Sequence, residues 1–480
     1  MNHTLLISLY DLGHQPYEML QLKAALDSSG AHTSIIDLSI SEVLDLEVFR
    51  NKLSHVVIGV PMHTAARLSL SIIEIISQWE LVPSITLMGH YAEALSSSPL
   101  PKEVSLFASG ESIDQIVEHI AGASDFDSLT KESSEPSHFH TTKPSRRLKE
   151  IASPLDRHDL PDLSRYTSYI QGKKMVTAGY VEASRGCLHL CAHCPVAATY
   201  EGRIRINSVE SVVAEVENLY RLGARHITFG DPDFFNAPIH SLKVLKIAHD
   251  LFPDLTFDAT IKVSHILKYR HMVPRLKENN VTFIVSAFEH TSSDVLNALD
   301  KGHSVADMVE ALNLIRENSI EIRPSLLPFT PWTSLESMVE LLDFIVDHDL
   351  IESIDPVMYS IRLLVPSTSI TFRKYPNLFS EGSDRGLNLV WESGDSRLDG
   401  LQHEISDIVE NFQGSSNHEV FEKIYAVVSS VANRPTRSIL ASSREVPRLS
   451  ESWYCCAEPT TSMTSAISLT PSQQRGTCNG

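Results

Sequence analysis

The chain has 480 residues, 40 Lys and Arg against 60 Asp and Glu, and a formal charge of −20. With 42% hydrophobic and 21% charged residues it has the composition of a soluble globular protein long enough for roughly two to four domains. The net field repels polyanions, which excludes a general binder of nucleic acid or anionic membrane, and no apolar run reaches the ~18 residues of a bilayer span. The first ten residues lack a basic flank and soon meet Asp11, so they do not read as a secretory signal; the expected location is the cytoplasm.

Residues 4–120 alternate short apolar runs with helical periods. Strands are predicted at 4–9, 32–38, 55–60, 84–88 and 104–108, and helices at 16–28, 68–79 and 112–120. This spacing predicts a parallel, doubly wound sheet that binds ligands at the carboxyl ends of its strands. It carries neither G-x-x-x-x-G-K-[ST] nor G-x-G-x-x-G, so nucleotide phosphates have no cradle. His14, after the first strand, reads as a polar loop residue. Residues 121–150 are rich in Ser, Thr, His and charge, exemplified by Lys131-Glu132-Ser133-Ser134-Glu135-Pro136-Ser137, and read as a solvated tether. Pro154 and Pro161, spaced with Leu155, Leu160 and Leu163, predict an ordered strap after it.

Three of the six cysteines, Cys187, Cys191 and Cys194, form a C-x3-C-x2-C run behind a predicted strand at 175–181. A helix follows, with Ser208 as its N-cap and Gly223 at its end. A strand at 226–229 then closes on Gly230-Asp231-Pro232-Asp233. Three thiolates on one compact loop suit three irons of a four-iron four-sulfur cluster, with the fourth iron open to a ligand. A loop at a strand's carboxyl end is also where barrel enzymes keep their chemistry. The competing reading is a structural zinc site completed by His189 or His193. Zinc sites usually arrive as two Cys pairs or a Cys pair with a His pair, and neither pattern occurs here. Further strands at 255–259, 281–287, 320–326 and 356–364 alternate with helices, which predicts a partial (β/α)6 barrel. Asp231 and Asp233 suit turn caps as well as ligand contacts. Glu289 ends an apolar strand and wants a partner, and Arg362 sits unusually within another.

The C-x3-C-x2-C motif after a first strand resembles the signature of the radical S-adenosylmethionine (radical SAM) enzymes. His193 stands where that family usually has Tyr or Phe. The resemblance spans about 175–370. It implies a four-iron four-sulfur cluster on Cys187, Cys191 and Cys194, and S-adenosylmethionine held near Gly230, Asp231, Asp233, Ser286 and Glu289. It also implies reductive cleavage to a 5′-deoxyadenosyl radical and an electron donor such as flavodoxin or ferredoxin. Lys301-Gly302-His303 and the capping box Thr333-Ser334-Leu335-Glu336 are similar to later parts of the same barrel.

The layout of flavodoxin-like domain, strap and barrel resembles cobalamin-binding members, and Gly110-Glu111 matches the end of their fifth strand. Their cobalt-ligating D-x-H-x-x-G is absent, and Gly89-His90 replaces a Gly-Gly turn, so cobalamin stays open. Amphipathic helices are predicted at 399–412 and 418–431. Beyond them, Trp453-Tyr454-Cys455-Cys456-Ala457-Glu458-Pro459 resembles the tail of radical SAM proteins named for a CUAEP or CCAEP sequence, here in the all-cysteine form. Adjacent cysteines favour redox exchange, metal ligation or substrate trapping, which makes Cys455 and Cys456 candidate catalytic residues. Cys478 reads as inert.

The expected organisation is therefore an α/β protein. A flavodoxin-like domain occupies 1–121, a linker 122–152, the radical SAM core 153–370, a helical region with the tail motif 371–459, and a disordered tail 460–480. The expected activity is radical chemistry on a small-molecule or peptide substrate, with cobalamin-dependent methylation or carbon–sulfur bond formation as subclasses. The alternatives are an iron–sulfur redox or metal-sensing protein without SAM turnover, and a zinc-stabilised scaffold.

Overall fold

The computed structural model describes residues 3–101, 104–107, 113–122, 138–140, 154–382, 386–412, 414–440, 444–451 and 457–458. The first sheet is built from β1 (His3–Ser8), β2 (His32–Asp37), β3 (His55–Gly59), β4 (Ser84–Met88), β5 (Val104–Phe107) and β6 (His138–His140). All its pairings are parallel, in the order β2-β1-β3-β4-β5-β6. Its helices are α1 (Tyr17–Ser28), α2 (His63–Ser77) and α3 (Ile113–Ile120). Apolar residues bury on both faces of the sheet: Leu5, Ile7, Val56 and Ile58 on one, Leu6, Val57 and Met88 on the other. That is why these strands read as continuous apolar runs rather than alternating ones.

One element was unexpected. β6 lies within the span read as a linker, where it covers the backbone edge of β5. An open strand edge offers unpaired N–H and C=O groups, and even a three-residue segment satisfies some of them.

The second sheet contains β7 (Ser168–Gln171) and β8 (Lys174–Val181), an antiparallel hairpin. A small hairpin of β9 (Ser184–Gly186) and β10 (Ile204–Ile206) brackets the cysteine loop. The sheet continues through β11 (His226–Phe229), β12 (Thr256–Thr260), β13 (Val281–Glu289) and β14 (Glu321–Leu326), each parallel to its neighbour from β8 onward. The sixth parallel strand is reduced. Residues 356–360 form a 3-10 turn, and only β15 (Arg362–Leu363) is extended, joined by a parallel bridge from Phe329 to Arg362. Pro356 explains the loss, since it donates no ladder bond and suits the first turn of a helix.

The helices between these strands are α4 (Pro195–Tyr200), α5 (Val209–Arg221), α6 (Pro238–Leu251), α7 (Val263–Lys268), α8 (Val273–Glu278), α9 (Ser293–Ala298), α10 (Val305–Glu317), α11 (Leu335–Asp347) and α12 (Ile370–Lys374). Ser208 caps α5 as expected, accepting from the Ser211 N–H. At α11 the cap is one residue later than predicted. Ser334 and Ser337 form the box, while the Thr333 hydroxyl bonds to Pro328 O inside the preceding turn.

The last helices, α13 (Ser396–Asn411) and α14 (Asn417–Val431), pack on the barrel core through Leu398, Ile405, Phe421 and Ile424. The chain then returns twice. Arg448–Leu449 adds antiparallel to β7, and Ala457–Glu458 adds antiparallel to β15.

Candidate functional site

Every second residue of the barrel strands points inward. At the base, His226 stacks on the Tyr169 ring with centroids 4.1 Å apart and bonds through Nε2 to Asp258 at 2.8 Å. This layer closes the lumen from below. Above it opens a cavity of about 230 Å³ at the carboxyl ends of the strands. The first sheet adds Asp11, Pro61, Met62 and His90 to its wall, so the cavity lies where the carboxyl ends of the two sheets meet.

Cys187, Cys191 and Cys194 all line this cavity, and none is in a disulfide. The loop that carries them is tied down at both ends. Gly186 has φ +76°, and a β-carbon there would strike Arg203 O across the β9–β10 hairpin. On the far side, Ala192 N–H donates to Leu299 O at 2.9 Å, and Thr371 N–H donates to Ala192 O at 3.0 Å. Burial pushes the Cys187 thiol up to about 12. Lys262, at the end of β12, places its ammonium 3.5 Å from Cys191 Sγ.

Of the other expected site residues, Gly230, Asp233 and Glu289 line the cavity. Gly230 is required by space, because any β-carbon would overlap the Tyr180 ring. Asp233 caps the turn that follows through Phe235 N–H at 3.0 Å. Its Oδ2 lies 3.2 Å from His189 Nε2 and 2.8 Å from His265 Nδ1. Glu289 has φ +63° at an irregularity in the β13–β14 pairing, a bend that turns its carboxylate inward. It pairs with Lys301 at 2.9 Å and faces His193 Nε2 at 3.3 Å. Burial alone would raise the Glu289 carboxyl, but Lys301 and His193 hold it well below its usual range.

Asp231 and Ser286 lie apart from the other expected residues. Neither lines the cavity. Asp231 is fully buried and accepts from Ala183 N–H at 2.9 Å and Ser184 Oγ at 2.6 Å, behind the cysteine loop. Burial pushes its carboxyl up to about 7 against these bonds. Ser286 donates to Ile261 O at 2.7 Å; Val285, Ala287 and Glu289 are the inward residues of β13, so the period of two turns Ser286 away. Cys455 and Cys456 lie outside the described residues, as do Gly110 and Glu111. Arg362 is an anchor: it bonds Asp399 and the Trp391 carbonyl, both at 2.6 Å, and lies 3.6 Å over the Trp391 ring. His14 is buried against Tyr180 and does not line the main cavity.

Several cavity residues were not anticipated: Glu182, Arg185, Lys262 and the role of Lys301. A signal for one existed in Thr256-Phe257-Asp258-Ala259-Thr260-Ile261-Lys262, where polar residues occupy every second position and so share the inner face. Arg185 had no such signal. It bridges the two sheets, bonding Glu182 at 2.5 Å and Gln21, facing Glu18 at 3.8 Å, and lying 5.8 Å from the Tyr17 ring.

Residues 181–345 match the Radical SAM superfamily model. Among curated proteins, the chain is 22% identical over 175 residues to the ribosomal protein uS12 methylthiotransferase RimO of Dictyoglomus thermophilum, covering 35% of this chain and 40% of that protein. It is 20% identical over 387 residues to the anaerobic magnesium-protoporphyrin IX monomethyl ester cyclase of Synechocystis sp., covering 77% and 73%. The alignment thus spans less than half the length of the methylthiotransferase. Among solved structures, the cobalamin-dependent S-adenosylmethionine radical enzyme OxsB with aqua-cobalamin bound aligns with a TM-score of 0.62 at 13% identity, over 90% of this chain and 71% of that one. At that identity the likeness is one of fold: a doubly wound α/β domain joined to a radical SAM barrel. Residues 181–345, the cysteine loop included, form a radical SAM superfamily domain.

Proposed function

We propose that the chain is a radical SAM enzyme in which Cys187, Cys191 and Cys194 hold a four-iron four-sulfur cluster and S-adenosylmethionine binds beside it. The observation that carries this reading is the convergence of the three cysteines with Asp233, Lys262, Glu289 and Lys301 on one cavity at the carboxyl ends of parallel strands. The donor set fits the group. Three thiols on one ordered loop suit a cubane corner, and a buried thiol is relieved of its desolvation cost when it binds iron as a thiolate. When bound, the cluster supplies one electron to the sulfonium and so starts radical chemistry.

The chain's own residues bind, orient and shield. Lys262 offers an N–H to the Cys191 sulfur. Glu289 offers an anionic acceptor to an ammonium or to hydroxyls, Lys301 offers a cation to a carboxylate, and Asp233 lies in the same wall. Gly230 leaves room for the Tyr180 ring in the wall, and Leu12, Pro61, Met62, Val285 and Met358 give the cavity apolar surface.

The substrate is a small molecule or a peptide, and the electron donor a flavodoxin or ferredoxin in the cytoplasm. Among the described residues no helix is long and apolar enough to cross a membrane. Cobalamin binding is supported by the likeness to a cobalamin-bound structure and by the strand ends of the first sheet that reach the cavity, and methylation is the subclass proposed with it, after the likeness to the radical S-adenosylmethionine methyltransferase TsrM. No Asp-x-His-x-x-Gly supplies a cobalt ligand, so binding is read directly, by the spectral change of added hydroxocobalamin.

Cys455 and Cys456 act in this reading as a redox or substrate-holding pair. Two flanking segments support it. Glu451 and Leu449 line a smaller pocket that shares Leu12, Val285, Ser325 and Met358 with the main cavity. Ala457 pairs with Leu363, two residues from the cavity residue Ile361. Truncation before Trp453 is expected to abolish turnover and spare SAM cleavage; full turnover by the shortened chain removes the tail from the mechanism.

The deciding experiment is anaerobic reconstitution with iron and sulfide, then dithionite and SAM, read by mass spectrometry. The expected result is 5′-deoxyadenosine that disappears when Cys187, Cys191 or Cys194 is replaced by Ala. Iron binding with SAM left intact would instead make this an iron–sulfur redox or sensing protein.

A further inference from the structure

We infer that His189, Asp233 and His265 form a second metal site, separate from the three cysteines, for a single divalent first-row ion of the zinc type. The ligand atoms come from three different segments: the cysteine loop, the turn after β11, and α7. They are His189 Nε2, His265 Nδ1 and one carboxylate oxygen, all within 4.8 Å of one another. Tetrahedral ligands with bonds near 2.0 Å lie about 3.3 Å apart, so a small outward adjustment creates the cage. Two imidazoles and a carboxylate are a borderline-soft set that selects Zn²⁺, Fe²⁺ or Co²⁺ over Mg²⁺ and Ca²⁺.

Three features argue that this is more than a hydrogen-bonded cluster. First, Asp233 divides its work. Oδ1 accepts the Phe235 N–H, which fixes the carboxylate plane, and Oδ2 faces both histidines. A second bond that orients a ligating carboxylate is what metal sites display.

Second, His265 Nδ1 is buried 2.8 Å from Oδ2, yet among the described residues it has no hydrogen bond of acceptable geometry. The two atoms are close without the ring nitrogen being aimed along a bond. A cation between them satisfies both, whereas an unpaired buried imidazole nitrogen carries a desolvation cost.

Third, the group is asymmetric in exposure. Asp233 and His265 are buried, while His189 is partly open and lines the cavity with Asp233. The ion therefore keeps a coordination position toward the cavity, as in metal sites that take a water or a substrate donor.

The consequence is positional. His189 lies between Cys187 and Cys191, and its N–H sits 3.5 Å from Cys187 Sγ. An ion at this site ties the cysteine loop to the ends of two barrel strands.

The test uses the full chain with Cys187, Cys191 and Cys194 all replaced by Ser, titrated with Co²⁺. The expected result is one equivalent bound, with visible d–d bands of nitrogen and oxygen ligation and no sulfur-to-cobalt charge-transfer band. His265→Gln and Asp233→Asn, each added to that variant, are expected to weaken binding at least tenfold, and His265→Asn guards against a folding defect specific to Gln. Failure to bind Co²⁺, or binding that survives both His189→Gln and His265→Gln together, overturns the site. In the intact protein, zinc and iron are counted together. His265→Gln is expected to lose zinc and keep its iron, whereas loss of iron with the cysteine variants bears on the cluster alone. The two readings therefore fail separately.

Discussion

Gly230 shows how a single position constrains the cavity. The requirement is clearance for the Tyr180 ring rather than an unusual backbone angle. Gly230→Ala is expected to displace Tyr180 and weaken SAM binding at least tenfold while leaving iron binding intact, measured by equilibrium dialysis on the reconstituted protein. Asp231 makes a different prediction. Its folded carboxyl is raised to about 7 by burial, so the native state holds the proton more tightly than the unfolded chain. The sign follows from linkage: this group's contribution to stability falls as pH rises from the ordinary carboxylate range to about 7, and is flat above it. Asp231→Asn is expected to flatten that segment of the stability–pH curve, read by urea denaturation between pH 4 and 8. An unchanged slope would show that other groups set it.

Among the elements, the reduced β15 carries more than its two residues suggest. Arg362 fastens the turn before α13 to the barrel through Asp399, the Trp391 carbonyl and the face of the Trp391 ring. A charge-assisted bond with a cation–π contact is worth about 2 kcal/mol when partly screened. Arg362→Ala is expected to cost that much in chemical denaturation and to raise hydrogen exchange in α13 before it does so in β11 or β12. Loss spread evenly over the barrel would mean that the C-terminal region is not a separate docking unit.

For the whole molecule, the decisive contact is Arg185 between the two sheets. It neutralises Glu182 and Glu18 and bonds Gln21 of α1. Glu182 is raised by burial even with this partner present. Removing one side of a buried ion pair typically costs about 3–5 kcal/mol, because the other charge stays behind. Arg185→Met is expected to destabilise by that order and to loosen α1 against the barrel, seen as faster exchange in 17–28 with β11–β13 unchanged. A stable, tightly docked variant would place the interdomain energy in apolar contacts such as Tyr17 with Tyr180.

By itself, the sequence determined whatever is set by spacing along one segment. C-x3-C-x2-C put three thiols on one loop, the alternation of apolar runs and helices specified both α/β halves, and Ser208 marked a helix start that the fold keeps. These signals are local, because helix and strand periods and caps depend on residues a few positions apart. Tertiary structure decided what depends on closure of the barrel and on the meeting of the two sheets. Closure turned Ser286 outward and Glu289 inward, consumed Asp231 behind the cysteine loop, and shortened the sixth strand at Pro356. It also gathered His189, Asp233 and His265 from segments separated by 44 and 32 residues. No period relates such residues, and only the packed fold brings them within 4.8 Å.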